Sequence, residues 1–390
     1  MITVDAALDI LFSLVTTGAA ETVPLTRASG RILAEDAIAR RDQPPFRASA
    51  MDGYAVTRDD ARTGAKLTVI GEAAAGHRFD GKVVSGHAVR IFTGAPLPKG
   101  ADRVVIQEDV TRDGDQITLG ETLDKGMHIR PAGADFVTGT RLAAPRRLTP
   151  ADIALLASMN IAEVPVVRKP VIALIATGDE LVMPGETPDP DQIIASNSFG
   201  LKALLEAAGA EARLLPIARD TMPALQTAFD LADGADLIVT IGGASVGDHD
   251  LVAKAAQDRG LKRAFYKIAM RPGKPLMAGR MGKSAMVGLP GNPVSAMICG
   301  QVFLVPMIRA MLGLGCAPTP RESAPLANDI PANGPREHYM RARLEDGKIS
   351  VADRQDSSLL TVLSQANALM IRPINDGPRM AGDLVEYLPL

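Results

Sequence analysis

Tryptophan is absent from this chain of 390 residues, and aromatic residues make up only 3% of it. Proteins that bind single-stranded nucleic acids stack the bases on aromatic side chains. A formal net charge of −3 also provides no long-range attraction to a phosphate backbone. The composition therefore argues against a nucleic-acid partner, and an anionic substrate must be held by local cations, backbone amides or a metal ion.

Cysteine is scarce, and the N-terminus has no basic segment before an apolar run. Cys299 and Cys316 are too few for a disulfide framework, and we expect both to be packed in the interior as small apolar residues. The N-terminal composition excludes a signal peptide. The most apolar stretch, residues 297–312, is interrupted by polar residues and Pro306, which predicts no membrane span. We expect a cytoplasmic protein.

The length and the hydrophobic content of 46% indicate several compact units rather than one core. We expect an elongated helical and linker domain from residues 1–40 with 139–168, and a β-rich domain from residues 41–138. An α/β domain is expected over residues 169–317, and a small β unit over residues 318–390.

The N-terminal half mixes helical and β-like segments. We expect Thr3 to cap a helix that ends near residue 16, and residues 28–39 to form a second short helix. Short β-like runs follow between residues 66 and 119, with a hairpin signal at Asp113-Gly114. Proline at the first helical position indicates a helix over residues 149–159.

From residue 169 onward, apolar strands alternate with helices. This alternation predicts a mainly parallel, doubly wound sheet that binds ligands at the carboxyl ends of its strands. The expected strands are residues 171–175, 213–217, 237–241, 264–268 and 285–289, and the expected helices are residues 199–208, 222–232, 251–259 and a long helix from residue 294.

A glycine-rich segment, residues 242–250, follows one of these strands. Gly242, Gly243 and Gly247 allow the backbone to approach a ligand closely, and the next helix offers unpaired N–H groups at its N-terminus. Two glycines alone equally suit a tight turn. The strand before the segment and the helix after it favour an anion site, to which the hydroxyl of Ser245 would contribute.

Carboxylates gather at the same predicted edge of the sheet. Asp248 and Asp250 follow the glycine-rich segment, Glu180 follows the first strand and Asp220 follows the second. A carboxylate and a phosphate about 4 Å apart repel by roughly 4 kcal/mol at an effective dielectric constant of about 20. Helix capping explains any one of these acids, whereas the whole set favours an oxygen-preferring cation such as Mg²⁺.

Basic residues cluster around a Pro-Gly turn after a later strand. Lys267, Arg271 and Lys274 would suit a solvated surface, but two prolines stiffen the turn and favour a preorganised cradle for an oxyanion. The turn at residues 289–295 leads into a helix and predicts a second anion site at a helix N-terminus.

Six motifs occur in a recognisable order. They are Ser49-Ala-Met-Asp-Gly-Tyr-Ala55, Ile91-Phe-Thr-Gly-Ala95, Thr177-Gly-Asp-Glu-Leu181, Gly242-Gly-Ala-Ser-Val-Gly-Asp248, Arg271-Pro-Gly-Lys-Pro275 and Leu289-Pro-Gly-Asn-Pro-Val-Ser295. The chain closely resembles the molybdopterin molybdenumtransferase (MoeA) family, to which the E domain of gephyrin belongs, over essentially its whole length. We expect no fused adenylyltransferase domain like that of gephyrin.

The resemblance implies a multidomain α/β plus β fold with an elongated protomer. Its parts would be a molybdopterin-binding, doubly wound α/β domain, a β-rich domain, a C-terminal small β-barrel and the linking domain. It also implies a homodimer whose active cleft is completed across the interface. The β-rich domain, which carries Asp52 and Thr93, would then face the α/β domain of the partner.

The resemblance also assigns roles to individual positions. The catalytic positions would be Asp52, Thr93, Asp135, Glu180, Asp220 and Asp250. The substrate-binding positions would be Thr177, Gly178, Gly242, Gly243, Ser245, Gly247, Asp248, Lys267, Arg271, Lys274, Pro290, Pro293, Arg341, Ser357 and Ser358. The motif does not settle which of the two serines is the partner of Arg341. Arg271 stands where family members usually have lysine, and its planar guanidinium prefers bidentate contacts.

The implied activity is the insertion of molybdate, as substrate, into adenylyl-molybdopterin with Mg²⁺-dependent release of AMP. The adenylyltransferase that makes this substrate and the proteins that mature molybdoenzymes are the expected partners. One alternative is the adenylyltransferase activity itself, which would consume ATP. Another is a molybdopterin-binding scaffold without turnover, against which the retained carboxylates and cations argue.

Overall fold

The computed structural model describes residues 1–243 and 251–390, which form two compact units, Thr22–Val166 and Met1–Glu21 with Val167–Leu390. The helices are α1 (Val4–Ser13), α2 (Pro150–Ser158), α3 (Asn197–Ala208), α4 (Met222–Leu231), α5 (Leu251–Asp258), α6 (Pro293–Cys299), α7 (Val305–Met311) and α8 (Leu360–Gln365). Single turns of 3₁₀ helix span Leu25–Arg27, Arg58–Asp60 and Gln107–Asp109.

Many of the strands are short. They are β1 (Ala20–Pro24), β2 (Ile32–Leu33), β3 (Ala37–Ile38), β4 (Ala48–Ser49), β5 (Gly53–Val56), β6 (Lys66–Ala73), β7 (His87–Ile91), β8 (Arg103–Ile106), β9 (Val110–Asp113), β10 (Gln116–Leu119), β11 (Ile129–Arg130), β12 (Arg141–Leu142), β13 (Arg146–Arg147), β14 (Glu163–Val167), β15 (Val171–Ala176), β16 (Leu181–Val182), β17 (Ile193–Ile194), β18 (Glu211–Leu214), β19 (Leu237–Ile241), β20 (Lys262–Tyr266), β21 (Met270–Arg271), β22 (Met277–Met281), β23 (Ser284–Leu289), β24 (Glu322–Pro325), β25 (Glu337–Glu345), β26 (Lys348–Val351), β27 (Ala368–Arg372) and β28 (Leu384–Pro389).

The unit Thr22–Val166 contains the predicted β-rich region. Its six-stranded sheet has the order β8-β5-β7-β6-β10-β9, and the predicted runs between residues 66 and 119 all lie in it. Asp113 pairs with Gln116 across the predicted hairpin turn. Strand β5 is buried along its whole length and pairs with β7 and β8. This pairing fixes the positions of the residues that directly precede and follow these strands.

A second sheet of this unit, in the order β1-β14-β2-β13, corrects one prediction. The helix expected over residues 28–39 is absent, and strands β2 and β3 stand in its place. Ile32 and Leu33 are both buried and pair with β13, so adjacent apolar residues here form the interior of a sheet rather than one face of a helix. The predicted helix that begins at Pro150 is confirmed, and its capping box joins Thr149 and Asp152.

The α/β sheet of the other unit has the order β18-β15-β19-β23-β22-β20. The pairings from β18 to β23 are parallel, as predicted. Strand β22 was not predicted and pairs antiparallel with β23 and with β20, so the sheet is mixed. A tight turn at Gly282, with φ of +59°, joins β22 to β23. The polar Arg280 and the glycine within β22 weaken its strand pattern in the sequence.

The long helix that follows this sheet, Pro293–Met311, consists of α6, a π-helical segment (Gly300–Leu304) and α7. It begins one residue before the predicted start, and by length and composition it could cross a membrane, yet 78% of its most apolar window is buried inside the fold. Packing therefore accounts for its apolar character. Cys299 lies buried in it as expected, whereas Cys316 is exposed, so the prediction for Cys316 was wrong.

The first 21 residues join the same compact unit rather than grouping with residues 139–168. Thr3 caps α1 as predicted, and Ile2 forms a bridge with Ile268. The predicted domain boundaries otherwise stay a prediction.

The C-terminal region forms a sheet in the order β21-β25-β27-β28-β24, and β26 pairs with β25. A bridge between Leu326, next to β24, and Ile349, in β26, closes the ring β26-β25-β27-β28-β24. The turn at Asp346-Gly347 connects β25 to β26, and both residues have positive φ. The expected closed β unit is thus present.

Replacement of Phe303 by alanine tests the packing of the long helix. Phe303 is completely buried, so Phe303→Ala should lower the free energy of unfolding of its unit by about 3–5 kcal/mol. Phe199→Ala is the matched control because Phe199 is 40% exposed, and it should cost less than half as much. Urea unfolding followed by circular dichroism measures both. Equal losses would contradict the burial of this helix.

Candidate functional site

A cavity of about 570 Å³ lies at the carboxyl ends of β15, β19 and β23. This is the edge at which parallel sheets bind ligands. The predicted site residues that line the cavity are Thr177, Gly178, Glu180, Asp220, Gly242, Gly243, Pro290, Pro293 and Ser358. The structure therefore brings together residues that are up to 181 positions apart in the chain, counting from Thr177 to Ser358.

The glycine-rich strand end is tightly packed against the neighbouring strand. Gly242 has φ of +94°, and a Cβ atom there would lie 2.8 Å from the carbonyl oxygen of Thr177. The N–H of Thr177 donates to the carbonyl of Ile241 at 3.0 Å. Glycine is therefore required for the close approach of the two strand ends. Ser245, Gly247, Asp248 and Asp250, which were predicted to act here, lie outside the described residues.

Acidic side chains crowd one wall of the cavity. The N–H of Asp220 donates to Asp179 Oδ1 at 3.1 Å, and Arg219 holds the neighbouring loop by donating to the carbonyls of Asp179 and Leu181. Burial raises the pKa of Asp220, and the carboxylates of Asp179 and Glu180 raise it further. Within residues 1–243 and 251–390, no three His, Cys, Asp or Glu side chains are grouped to hold a metal.

Neutral polar residues that the sequence analysis missed form the opposite part of the lining. Ser196, Asn197, Ser198 and Asn292 all line the cavity. The side-chain amide of Asn197 donates to the carbonyl of Gly291 at 2.7 Å. The only signal in the sequence was the position of three small polar residues before a predicted helix, and this pattern is equally typical of simple helix capping.

The second predicted anion site, at the start of α6, is partly blocked. Proline has no N–H, and Pro293 is the first residue of this helix. The N–H of Val294 donates to the carbonyl of Ser357 at 3.0 Å. Because the first helical donor is missing and the second is paired, the prediction of a free N-terminal anion site here was wrong for these two positions.

The predicted basic residues do not line the cavity. Arg271 and Lys274 are exposed, and the ammonium of Lys267 lies 5.3 Å from the ring centroid of Tyr266. Pro275, adjacent to Lys274, does reach the cavity lining. The loop packs closely against α6, since a Cβ atom at Gly273 would lie 2.5 Å from the sulfur of Cys299.

Arg341 is 1% exposed, and its guanidinium is hydrogen-bonded to other groups of the protein. Its guanidinium donates to the carbonyl of Asp356 at 2.7 Å, to the side-chain oxygen of Gln355 and to the carbonyl of Arg354. Asp356 in turn accepts from the hydroxyl of Ser358 at 2.6 Å. Arg341 therefore holds the loop that carries Ser358 into the cavity lining. Ser357 contributes its carbonyl and hydroxyl to the start of α6 instead.

In the unit Thr22–Val166, Asp52 and Thr93 form a direct pair. The N–H and the hydroxyl of Thr93 both donate to Asp52 Oδ1, each at 2.7 Å. These two hydrogen bonds, the hydroxyl first, lower the pKa of Asp52. Gly53 pairs with Ile91 at one end of the antiparallel strands β5 and β7. Asp52 directly precedes Gly53, and Thr93 follows Ile91 by two residues, so both lie just beyond the paired ends and come into contact. Asp52 is half-buried, and these two hydrogen bonds favour its charged form.

Arg90 supports this pair. Its guanidinium lies between the rings of Tyr54 and Phe92, at 5.1 Å and 4.8 Å from their centroids, and donates to the carbonyl of Gly53 at 3.2 Å. Asp135, also predicted to be catalytic, lies on an exposed turn. Its N–H donates to Gln43, and the hydrogen bonds of the described residues do not connect its side chain to Asp52.

Three family models together match most of the chain. Residues 2–160 match the MoeA N-terminal region (domains I and II), residues 173–310 match a probable molybdopterin binding domain, and residues 323–390 match the MoeA C-terminal region (domain IV). The middle match contains the residues of the cavity from Thr177 to Pro293.

Curated relatives agree over the full length. The molybdopterin molybdenumtransferase of Haemophilus influenzae is 36% identical over 95% of this chain and 93% of its own, and that of a Nostoc strain is 35% identical over 95% and 89%. The chain belongs to the molybdopterin molybdenumtransferase family. A crystal structure of a molybdopterin biosynthesis MoeA protein from a Pyrococcus species superposes with a TM-score of 0.85 at 30% identity, covering 100% of this chain and 99% of that one.

Membership of the molybdopterin molybdenumtransferase family makes this protein a transferase of molybdenum cofactor biosynthesis. It confirms the multidomain MoeA-like fold predicted from the six motifs. The adenylyltransferase alternative is not favoured, because molybdenumtransferases match nearly the whole chain. The roles of single residues stay predictions.

Replacement of Thr93 by valine tests the pair at Asp52. Thr93→Val removes the hydroxyl donor and keeps the backbone donor, so the pKa of Asp52 should rise towards its ordinary value. NMR titration of the carboxyl carbon measures it. Thr138→Val is the matched control, because Thr138 donates in the same way to Asp42. It should raise the pKa of Asp42 and leave Asp52 unchanged. An unaltered Asp52 in Thr93→Val would contradict the contact.

Proposed function

We propose that the protein inserts molybdate into adenylyl-molybdopterin and releases AMP in a reaction that depends on Mg²⁺. The observation that carries this proposal is the joint position of Glu180 and Asp220 in a cavity of about 570 Å³ that is also lined by Gly242 and Gly243. A volume of this size suits a small organic ligand. The activity of the relatives that match over nearly the full length supplies the substrate class.

The acidic wall would supply part of the ligand set of a hard cation, since the described residues alone do not group three such ligands. Asp179, Glu180 and Asp220 are close enough for their charges to raise the pKa of Asp220, and such crowding is relieved by a divalent ion that prefers oxygen ligands. Glu180 would hold Mg²⁺ together with Asp250, the ligand that lies outside the described residues. When bound, Mg²⁺ would polarise the phosphate oxygens and neutralise charge in the transition state.

The chain's own residues would position the reactants. The glycines at the end of β19 allow a phosphate group to approach the backbone, and Ser358 would contact molybdate, a tetrahedral dianion. Arg341 acts on this serine through the loop that it holds. Lys267, Arg271 and Lys274 would attract the anion from outside the lining. Cleavage breaks the phosphorus–oxygen bond between the adenylyl group and the bridging oxygen, and an oxygen from water or molybdate completes AMP.

The second unit would contribute through a homodimer. We propose that Asp52, Thr93 and Asp135 of one protomer complete the cleft at the α/β cavity of its partner. Support comes from the half-buried Asp52, whose charged carboxylate is favoured by two hydrogen bonds from Thr93 and by the nearby charge of Arg90. A charged group held this firmly on a surface suits contact with a ligand or a partner. We further propose a cytoplasmic location and transient contact with the adenylyltransferase that supplies the substrate.

Release of AMP from adenylyl-molybdopterin tests the proposal. Glu180→Gln should lower kcat by at least about tenfold at saturating Mg²⁺, since even indirect supports of metal ligands cost 10–100-fold. Glu163→Gln is the control, because Glu163 is exposed on β14 and away from the cavity lining. Chromatography of AMP, with and without molybdate, gives the rate. Full turnover by Glu180→Gln would contradict the assigned role, and consumption of ATP in place of AMP release would favour the adenylyltransferase.

A further inference from the structure

Helix α3 begins at the wall of the cavity without a side-chain cap. Its N-cap residue is Ser196, which makes no capping hydrogen bond to the helix and instead donates its hydroxyl to Asn197 Oδ1 at 3.3 Å. The first N–H groups of any helix have no partner within the helix. Here Ser196, Asn197 and Ser198 all line the cavity, so these donors lie beside it.

Ser198 provides a second and independent sign of a ligand. It is 7% exposed, lines the cavity, and its hydroxyl has no hydrogen-bond partner among residues 1–243 and 251–390. The residue is buried but its hydroxyl oxygen is not among the buried unpaired atoms, so this hydroxyl is accessible from the cavity. A group that enters the cavity can accept a hydrogen bond from it without displacing a protein partner.

The chemistry of these donors selects an anion. A helix N-terminus carries partial positive charge and several converging N–H groups, which suits the oxygens of a phosphate. We infer that the start of α3, with the hydroxyl of Ser198, is a phosphate subsite of the cavity. The assignment rests on the proposed function, in which the substrate carries a phosphate group to this cavity.

The position of the subsite suits a substrate with two ends. Asn197 ties the start of α3 to Gly291, and the acidic wall is attached to the same part of the chain, because the N–H of Ile193 donates to the carbonyl of Glu180 at 2.8 Å. A phosphate at the start of α3 would contact neutral polar residues, and a cation would contact the acidic residues of the same cavity. Repulsion between phosphate and carboxylates is then reduced.

Calorimetric titration of the full chain with AMP, inorganic phosphate and molybdate tests the subsite. Ser198→Ala should raise the Kd for AMP and phosphate about tenfold. Ser198→Asp should raise it more, because its carboxylate would occupy the helix N–H groups and repel the anion. Ser158→Ala is the matched control, since its hydroxyl donates within α2, and it should leave every Kd unchanged. Thermal unfolding checks that each variant is folded.

The outcomes separate the subsite from the proposed function. Weaker binding of AMP and phosphate in both Ser198 variants supports the subsite, even if the unaltered protein releases no AMP from adenylyl-molybdopterin. Unchanged Kd values in folded Ser198→Ala and Ser198→Asp overturn it, even if turnover is normal. A loss of molybdate binding alone also overturns the assignment to phosphate.

Discussion

Repulsion between like charges at one edge of a sheet is the constraint on which the site depends. Asp220 lies beside Asp179 and Glu180, and burial and its two neighbours all disfavour its charged form. A reaction of phosphate and molybdate anions adds more negative charge to the same cavity. Such a site works only if a cation and aligned backbone donors offset the repulsion. We propose that the acids at the strand ends would hold the cation and that the uncapped start of α3 would supply the donors.

Support of the loops around the cavity follows from contacts between arginines and backbone carbonyls. The buried Arg341 uses its guanidinium to hold the residues before Ser358, and the exposed Arg219 holds the turn of Asp179. Arginines with several carbonyl acceptors order a loop without themselves touching a ligand. The family resemblance had suggested direct anion binding by Arg341, and the structure gives its side chain a supporting position instead.

The sequence predicted the regular α/β part of the fold well, because its strands are continuous apolar runs and its helices are periodic. It failed where neighbouring elements decide the outcome. Ile32 and Leu33 form a strand because partner strands cover them, and β22 is recruited by a tight turn at Gly282. At the site, the motifs located Glu180, Asp220 and the glycines. Ser198 was missed as a residue of the cavity lining, since small polar residues before a helix are equally typical of helix capping. The basic residues Lys267, Arg271 and Lys274 were placed too close to the cavity because charge alone does not fix the direction of a side chain.

The most direct test of this account is the thermodynamic coupling between Mg²⁺ and AMP in the full chain. Titrations of each ligand in the absence and presence of the other measure it. If a cation offsets the repulsion between the carboxylates and the phosphate, each ligand should tighten the binding of the other by about tenfold or more. Glu180→Gln should abolish that coupling. Binding of AMP with equal affinity with and without Mg²⁺ would contradict the central claim.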